Sequence, residues 1–335
     1  MQIAKLDMAA EVPLQSLQEI GEASENYALC AYDSSKNVGF FAHLGRWSLD
    51  RTLWREQLYV YLPDRTVLAY RGYGRGDCST GPRAGVLRMD CLQAGKQWRL
   101  RHTGPVLHVT GPQLARGLGQ EPVVRKLELD IHFHGDRVPF LYPRSDNTSW
   151  GHWHYEQLGS MNGKLKFEED SHEIQGFAFR DHTRGPRDLK NFCGSNWIQG
   201  TLPDGSGFAL FQTWDKTGRE IDIALSQLTI TTAEGIESAT LLESPGLDSM
   251  DVLDAPFQIA FESRQGRIDL VAEPQNTMIF SATSRHEVLL GAARGLAPLV
   301  VAEQPLLVQV NGQSTMGHSE ICRLMTESSP ELGFL

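Results

Sequence analysis

Hydrophobic and polar residues alternate along most of this chain in short runs. Residues 126–135, KLELDIHFHG, show the pattern best, because Leu127, Leu129, Ile131 and Phe133 alternate with acidic residues and histidines. A period of two places the apolar side chains on one face of a β-strand and the polar side chains on the other. Similar aromatic-rich runs recur along nearly the whole chain and are separated by turns rich in Gly, Pro, Asp and Asn. The pattern predicts many short antiparallel strands.

Two of the predicted hairpins carry the same turn sequence. Leu62-Pro63-Asp64 joins one pair of apolar runs, and Leu202-Pro203-Asp204 joins another pair in the second half of the chain. Pro and Asp favour tight turns, so both segments predict hairpins. Helical periodicity is confined to residues 13–22 and 285–294.

Many antiparallel strands without alternating helices predict an all-β fold. A chain of 335 residues is longer than most single domains, so two domains are expected. We predict two lipocalin-like, calycin-type antiparallel barrels or half-barrels in tandem with little helix. The predicted domains are residues 1–165 and 166–335.

Composition and charge exclude several classes of protein. The net charge is −10 and no cluster of Lys or Arg stands out, so a nucleic-acid partner is not expected. Five scattered cysteines without a Cys-x-x-Cys pair argue against a disulfide framework or a thiolate zinc site. The first 21 residues lack the features of a secretory signal, and the apolar run at 289–302 is interrupted. We expect a cytoplasmic protein without a membrane span.

The chemistry is concentrated near the centre of the chain, beginning with WGHWHYE at residues 150–156. In a strand, His152, His154 and Glu156 point to one face, and Trp153 and Tyr155 point to the other. Such a row of imidazoles and a carboxylate can transfer protons without a metal. We therefore predict His152, His154 and Glu156 as catalytic groups and expect no metal or other cofactor.

A second His-x-His pair, His132 and His134, leaves a metal site open as an alternative. Two such pairs with a carboxylate would suit a zinc, iron or manganese ion. However, both histidines alternate with the apolar residues of a predicted strand, which favours the solvent face for them.

Arg180-Asp181-His182 is the other candidate catalytic group. A carboxylate beside an imidazole raises its basicity, so Asp181 and His182 are both predicted to be catalytic. Neighbouring residues face opposite ways on a regular strand, so joint action requires a bend. Arg187 is a candidate for substrate binding or, together with Asp188, for ion pairs that clamp the junction between the barrels.

Aromatic residues are abundant, and most tryptophans of a β protein lie in its core. Some of them can line an apolar cavity that binds a small molecule. The candidates for substrate binding are Trp47, Tyr61, Trp150, Trp153, Tyr155, Trp197 and Trp214.

Three segments resemble one known family. Arg180, Asp181, His182, Gly185, Arg187 and Asp188 match the motif Arg-Asp-His-Ser-Trp-Gly-x-Arg-Asp, with Thr183 and Arg184 in place of Ser and Trp. FFAHLGRWSLDRTLWREQLYVYLPD near the start and GHSEICRLM near the end resemble other strands of that family. The chain thus resembles the tandem lipocalin-like family of AttH-like proteins, carotenoid hydratase (hydroxyneurosporene synthase) and kievitone hydratase.

The resemblance implies an enzyme that adds or removes water, or cyclises its substrate. Together with the candidate residues it predicts a cofactor-independent lyase or isomerase, namely a hydratase, dehydratase or cyclase. The expected substrate is a hydrophobic small molecule such as a terpenoid, steroid or polyketide, bound in an aromatic-lined cavity. Two alternatives remain open: a non-catalytic carrier of a hydrophobic ligand, and a metal-dependent enzyme that uses the His-x-His pairs.

Overall fold

The structure is a computed structural model. It describes residues 1–14, 24–46, 50, 52–110, 123–143, 153–185, 192–221, 228–247, 255–281 and 299–324. Within these residues there are two β-sheets and one short helix, α1 (Met8–Glu11). The first sheet contains β1 (Gln2–Ile3), β2 (Ser24–Asp33), β3 (Val38–Arg46), β4 (Trp54–Tyr61), β5 (Thr66–Gly74), β6 (Leu87–Gln93), β7 (Gln97–Thr110), β8 (Val123–His134), β9 (Phe140–Leu141), β10 (Trp153–Phe167) and β11 (Asp170–Gly185). The second contains β12 (Phe192–Thr201), β13 (Gly207–Asp215), β14 (Glu220–Ile221), β15 (Leu228–Thr231), β16 (Ile236–Glu243), β17 (Phe257–Ser263), β18 (Gly266–Pro274), β19 (Met278–Ser281), β20 (Leu299–Val310) and β21 (Gln313–Leu324).

The first sheet closes into an antiparallel barrel. Among the described strands, β10 pairs with β11, and the order continues through β2, β3, β4, β5 and β7 to β8, which pairs again with β10. The second sheet runs from β12 through β21, β20, β18, β17, β16 and β15 to β13, and β13 also pairs with β12. Each closed ring has eight strands. The predicted all-β fold with two lipocalin-like barrels is therefore confirmed.

Strand β8 shows why the alternating pattern folds in this way. Leu127, Leu129, Ile131 and Phe133 are at most 2% exposed and lie in the core of the first barrel. The acidic residues and histidines between them are only partly buried on the outer face. Burial of the apolar face fixes the register of the strand, because a shift by one residue would turn that face to solvent.

The two Leu-Pro-Asp turns have the same hydrogen bonds. The carboxylate of Asp64 accepts hydrogen bonds from the backbone N–H and the hydroxyl of Thr66, and Asp204 accepts the same two from Ser206. The residue after each Asp has a positive φ, which is 65° at Arg65 and 85° at Gly205. The repeated turn sequence therefore produces the same turn in both barrels.

The structure places the first sheet and the N-terminal helix differently from the predicted domain boundary and the predicted helical segment. The predicted domain boundary at residues 165/166 falls inside β10, which belongs to the first sheet, and that sheet continues to Gly185. Helix α1 precedes the segment predicted to be helical, and Asp7 caps it by accepting a hydrogen bond from Ala10 N–H at 2.8 Å. Residues 13 and 14 are not helical, residues 15–22 lie outside the described part, and so does the whole of the segment 285–294.

Apolar residues form a core inside each barrel and a further cluster between the barrels. The cluster between them includes Phe41, Tyr59 and Phe179 from the first barrel and Trp197 and Phe211 from the second. The barrels thus bury aromatic side chains against each other, and the space between them is a candidate for a ligand site. No helix in the described residues is long and apolar enough to cross a membrane.

Candidate functional site

The hairpin of β10 and β11 sorts the predicted catalytic residues onto two faces. Glu156 pairs with Asp181 and His154 pairs with Thr183, so these four side chains lie on the face that is turned to the second barrel. The intervening residues, which include His182, point into the first barrel. The pairing is regular along both strands, so the bend that would bring His182 to the same side as Asp181 is not present.

His154 lies between two carboxyl groups. Its Nε2 atom is 3.4 Å from Glu156 Oε1 and 3.4 Å from Asp181 Oδ2. The imidazole ring stacks on Tyr142 with 4.6 Å between the ring centroids. The side chain of His154 is 10% exposed and those of the two acids are less exposed, so water screens the cluster weakly.

The Glu156 carboxyl accepts a hydrogen bond of 2.7 Å from the indole N–H of Trp197, which belongs to the second barrel. Glu156 is fully buried, and burial raises its pKa to about 7. The charge of His154 and the hydrogen bonds from Trp197 and Tyr142 oppose this increase but do not cancel it. Glu156 therefore exchanges a proton near neutral pH.

The pKa of Asp181 is shifted in the opposite direction, although Asp181 is also buried. Burial alone would raise its pKa, but the nearby imidazole of His154 and the hydrogen bond from Thr183 lower it overall. Thr183 Oγ1 donates to Asp181 Oδ2 at 2.9 Å, and the backbone N–H of Ala28 donates to Oδ1 at 2.9 Å. The environment thus separates the pKa values of Glu156 and Asp181, which is the arrangement that assigns acid and base roles in many active sites.

A cavity opens beside this cluster, between the barrels. Its volume is about 70 Å³. His154 and Asp181 line it, whereas Glu156 lies behind them. The other lining residues are Asn26, Ala28, Phe41, His43, Thr183, Trp197, Phe211 and Glu320.

His182 belongs to a separate network inside the first barrel. Its Nε2 atom lies 3.1 Å from Glu25 Oε1, and its ring stacks on Tyr27 with 3.7 Å between the centroids. Burial lowers the pKa of His182 to about 4, so its imidazole is neutral at pH 7. Arg184 and Arg46 complete the network with contacts to the Glu25 carboxylate of 2.9 Å and 3.3 Å. His182 is therefore placed to hold the barrel together and not to reach the cavity.

The Glu25 network makes stability depend on pH. Burial alone would raise the pKa of Glu25, but His182, Arg184 and Arg46 together lower it from 4.5 to about 2. A lowered carboxyl pKa stabilises the fold above pH 4.5, and this stabilisation is lost as the pH falls towards 2. The loss corresponds to roughly 3 kcal/mol. Denaturant unfolding between pH 2 and pH 7 measures how the free energy of unfolding changes with pH. The free energy should fall more steeply towards low pH in the native chain than in Glu25→Gln. An equal fall in both proteins would contradict the prediction.

The structure brings only some of the predicted residues to the cavity. Trp197 lines it, and Tyr61 lies in the apolar cluster between the barrels, where its hydroxyl donates to the backbone carbonyl of Glu303 at 3.2 Å. Trp153 and Tyr155 are on the other face of β10, near His182. Trp214 packs against Arg323, away from the cavity. His152, Trp47, Trp150 and Arg187 lie outside the described residues.

The sequence patterns did not predict several residues of the site. They are His43, Tyr142, Phe211 and Glu320, and three of them line the cavity. His43 and Glu320 lie in the first and last of the three segments that resemble the known family. That resemblance was the feature of the sequence that could have indicated them. No motif surrounds Tyr142 or Phe211, and only the packing of the barrels shows their position.

His132 and His134 do not approach His154, the described residue of the other His-x-His pair. His134 pairs with Ser160 on β10, which is six residues from His154 and therefore about 20 Å along the strand. His134 lies on the outer face and contacts Asn162 at 2.8 Å, as predicted for a solvent-facing residue. In the described part of the chain, no group of three or more His, Cys, Asp or Glu residues is arranged to hold a metal ion.

Comparison with known proteins identifies the family. A family model described as a domain of unknown function, DUF7064, matches residues 15–324. The match covers most of the 335 residues, so the chain belongs to the DUF7064 family. No curated protein matches the sequence.

Solved structures with the same fold include two members of the family expected from the resemblance. An AttH-like protein from Nitrosomonas europaea has a TM-score of 0.54 and 15% identity, over 93% of this chain and 97% of that one. Kievitone hydratase from Nectria haematococca has a TM-score of 0.50 and 10% identity, over 90% of this chain and 89% of that one. The predicted resemblance is confirmed at the level of the fold.

Proposed function

We propose that this protein is a cofactor-independent enzyme that adds water to, removes water from or rearranges a hydrophobic small molecule. The reaction takes place by general acid–base catalysis in the cavity between the barrels. One observation carries the proposal: His154 lines the cavity while its Nε2 atom lies 3.4 Å from both Glu156 and Asp181. A buried cluster that separates two carboxyl pKa values beside a cavity is typical of catalytic sites.

Each residue of the cluster has its own part in the proposed reaction. Asp181 stays ionised and stabilises the imidazolium that forms when His154 accepts a proton. His154 transfers the proton to or from the substrate or a water molecule in the cavity. Glu156 does not line the cavity, so it acts through His154 as a positioning residue, and its pKa near 7 allows it to hold a proton.

The walls of the cavity favour an uncharged apolar substrate. Phe41, Trp197 and Phe211 supply aromatic surface, and no Lys or Arg is among the described residues that line the cavity. Aromatic faces and carboxylates stabilise positive charge better than negative charge. The cavity therefore suits a neutral olefin or alcohol that develops positive charge as a proton is added or as water leaves.

The fold comparison is consistent with the proposal but does not carry it. Kievitone hydratase, to judge by its name, adds water to a small molecule, and its fold covers nearly the whole of this chain. Fold alone does not determine function, so the proposed reaction class depends on the His154 cluster.

Conversion of small molecules tests the proposal directly. The native protein is incubated in heavy-oxygen water with a panel of hydrophobic compounds: kievitone, linear and cyclic terpene olefins, tertiary terpene alcohols and unsaturated polyketides. We expect at least one compound to gain or lose one water, or to isomerise, as detected by mass spectrometry and chromatography. His154→Gln should lower the rate about 100-fold or more, because it removes the proton-transferring imidazole.

His134→Gln is the matched control, since His134 lies on the outer face of β8 and should leave the rate unchanged. If panel compounds bind but none is converted, and if His154→Gln binds them as the native protein does, the carrier function is correct instead.

A further inference from the structure

A second pair of carboxyl groups faces the cavity from the second barrel. Glu303 on β20 and Glu320 on β21 are directly paired across the two strands, and Glu320 in turn pairs with Trp197 on β12. Glu320 lines the cavity from the second barrel, and His154 and Asp181 line it from the first. Glu303 is fully buried behind it.

The hydrogen bonds of Glu303 leave one of its oxygens without a donor among the described residues. Oε2 lies 2.7 Å from His318 Nε2, and burial lowers the pKa of His318 to about 3, so this contact is made by a neutral imidazole. Oε1 is buried, and no donor among the described residues gives it a hydrogen bond. The carboxyl of Glu303 also interacts with that of Glu320, its partner across the two strands.

Glu303 is fully buried and Glu320 is partly buried, so water would screen the repulsion between two ionised carboxylates only weakly. Burial and the neighbouring Glu320 raise the pKa of Glu303 well above its usual value. A single proton between the two groups removes the repulsion and provides the donor that Glu303 Oε1 otherwise lacks.

We infer that Glu303 and Glu320 share one proton at neutral pH and that Glu320 presents it as an acid to the cavity that His154 and Asp181 also line. The inference rests on the proposed function and assigns it a second acid. Glu320 is the catalytic residue of this pair, because it lines the cavity, and Glu303 is a positioning residue that keeps the proton on it.

In a hydration, Glu320 supplies one proton and His154 removes another. Glu320 gives its proton to one olefin carbon, and the two π electrons form the new C–H bond, which leaves a cation at the other carbon. The oxygen of a water molecule bonds to that carbon, and His154 removes one proton of this water. Exchange with solvent returns a proton to Glu320 and takes one from His154, so the net change is the addition of one water. Dehydration is the reverse sequence.

Other titratable groups also face the pair and must be considered in its pH dependence. They are His318 and Cys322 on the second barrel, Asp181, Cys30, Tyr59 and Tyr61 on the first, and His43 and His154, which line the same cavity as Glu320. Burial raises the pKa values of Cys30, Cys322 and both tyrosines, and that of Asp181 is lowered. The first six neighbours keep one charge state between pH 5 and pH 8, whereas Glu156 exchanges a proton in that range. Because the native chain and Glu303→Gln both contain His43, His154 and Glu156, the difference between the two proteins isolates the Glu303–Glu320 pair.

The stability of Glu303→Gln tests proton sharing without any substrate. A carboxyl whose pKa is raised in the folded state stabilises the fold below its unfolded pKa, and this contribution is lost as the pH rises. Glutamine stays neutral and can donate to Glu320, so the variant should melt about 2 to 4 °C above the native chain at pH 8. The difference should shrink towards pH 5. Glu262→Gln, an exposed carboxyl on β17, is the control and should show no pH-dependent difference.

Turnover of a compound converted by the native protein tests the acid role. Glu320→Gln should lower the rate about 100-fold or more, and Glu262→Gln should leave it unchanged. Glu303→Gln removes the neighbouring negative charge, so Glu320 loses its proton more readily. The pH–rate profile of Glu303→Gln should therefore shift to lower pH, with a rate that recovers on acidification. A purely structural role would not produce that recovery.

The two proposals fail in different ways. A pH-independent stability difference for Glu303→Gln overturns proton sharing whether or not any compound is converted. A full rate for Glu320→Gln, together with a large loss for His154→Gln, overturns the acid role and leaves the proposed function intact. If the native protein converts no compound of the panel, the proposed function and the acid role fail together, and the stability measurement alone decides on the shared proton.

Discussion

Asp181→Asn is expected to lower turnover about 100- to 10,000-fold while the protein stays folded. The substitution removes the negative charge that lies 3.4 Å from His154 Nε2, so the imidazolium loses its buried counter-ion. Asparagine has nearly the same shape, and its carbonyl oxygen can still accept the hydrogen bond from the backbone N–H of Ala28. The effect should therefore appear in the rate and only weakly in stability.

The measurement is kcat/KM on a compound that the native protein converts, with thermal unfolding recorded on the same samples. Asp130→Asn is a suitable control because Asp130 lies on the outer face of β8, where it binds Arg99 at 2.7 Å. Asp130→Asn should keep the native rate. A native rate for Asp181→Asn would remove Asp181 from the mechanism.

The second large effect concerns Arg180, whose side chain points into the first barrel. Its guanidinium lies 2.7 Å from Glu11 Oε1, donates to Gln157 and Tyr155, and is fully buried. Burial alone would raise the pKa of Glu11, and Arg180 is the largest of the influences that lower it instead. Arg180→Met would leave a buried carboxylate without a cation, and we expect it to lower the free energy of unfolding by about 3 to 5 kcal/mol.

Denaturant unfolding measures this loss, and a double-variant cycle identifies its cause. Glu11→Gln combined with Arg180→Met should cost less than the sum of the two single changes, because the unpaired charge is absent. Arg99→Met breaks the partly exposed pair with Asp130 and should cost about 1 kcal/mol or less. Equal losses for Arg180→Met and Arg99→Met would contradict the importance of the buried pair.

Arg180 and Asp181 are neighbours on β11, and their different surroundings explain why the Arg-Asp-His motif was hard to interpret from sequence. Arg180 and His182 point into the first barrel and bind Glu11 and Glu25, whereas Asp181 points to the cavity. One motif thus contains two structural residues and one candidate catalytic residue, on opposite faces of one strand. The prediction that Asp181 and His182 act together needed a bend that the strand does not have.

The site was only partly predictable for a related reason. His154 and Glu156 lie two residues apart, so a period of two places them on one face without further information. Their partner Trp197 lies 41 residues from Glu156, and Glu320 is further still. No local pattern connects residues at such separations, because the contacts depend on how the barrels pack.

The sequence by itself determined the class of fold, the strands and several turns. Alternation with a period of two, and turns rich in Pro, Asp and Gly, are local properties that act through neighbouring residues. Only the tertiary structure decided that the cavity lies between the barrels, that His182 is turned away from it, and that Glu320, paired with Glu303, lines the same cavity as His154. Those features arise from strand pairing and barrel packing between residues that are far apart in the chain. Burial of these residues next to other charged groups then shifts their pKa values, which no local sequence pattern can show.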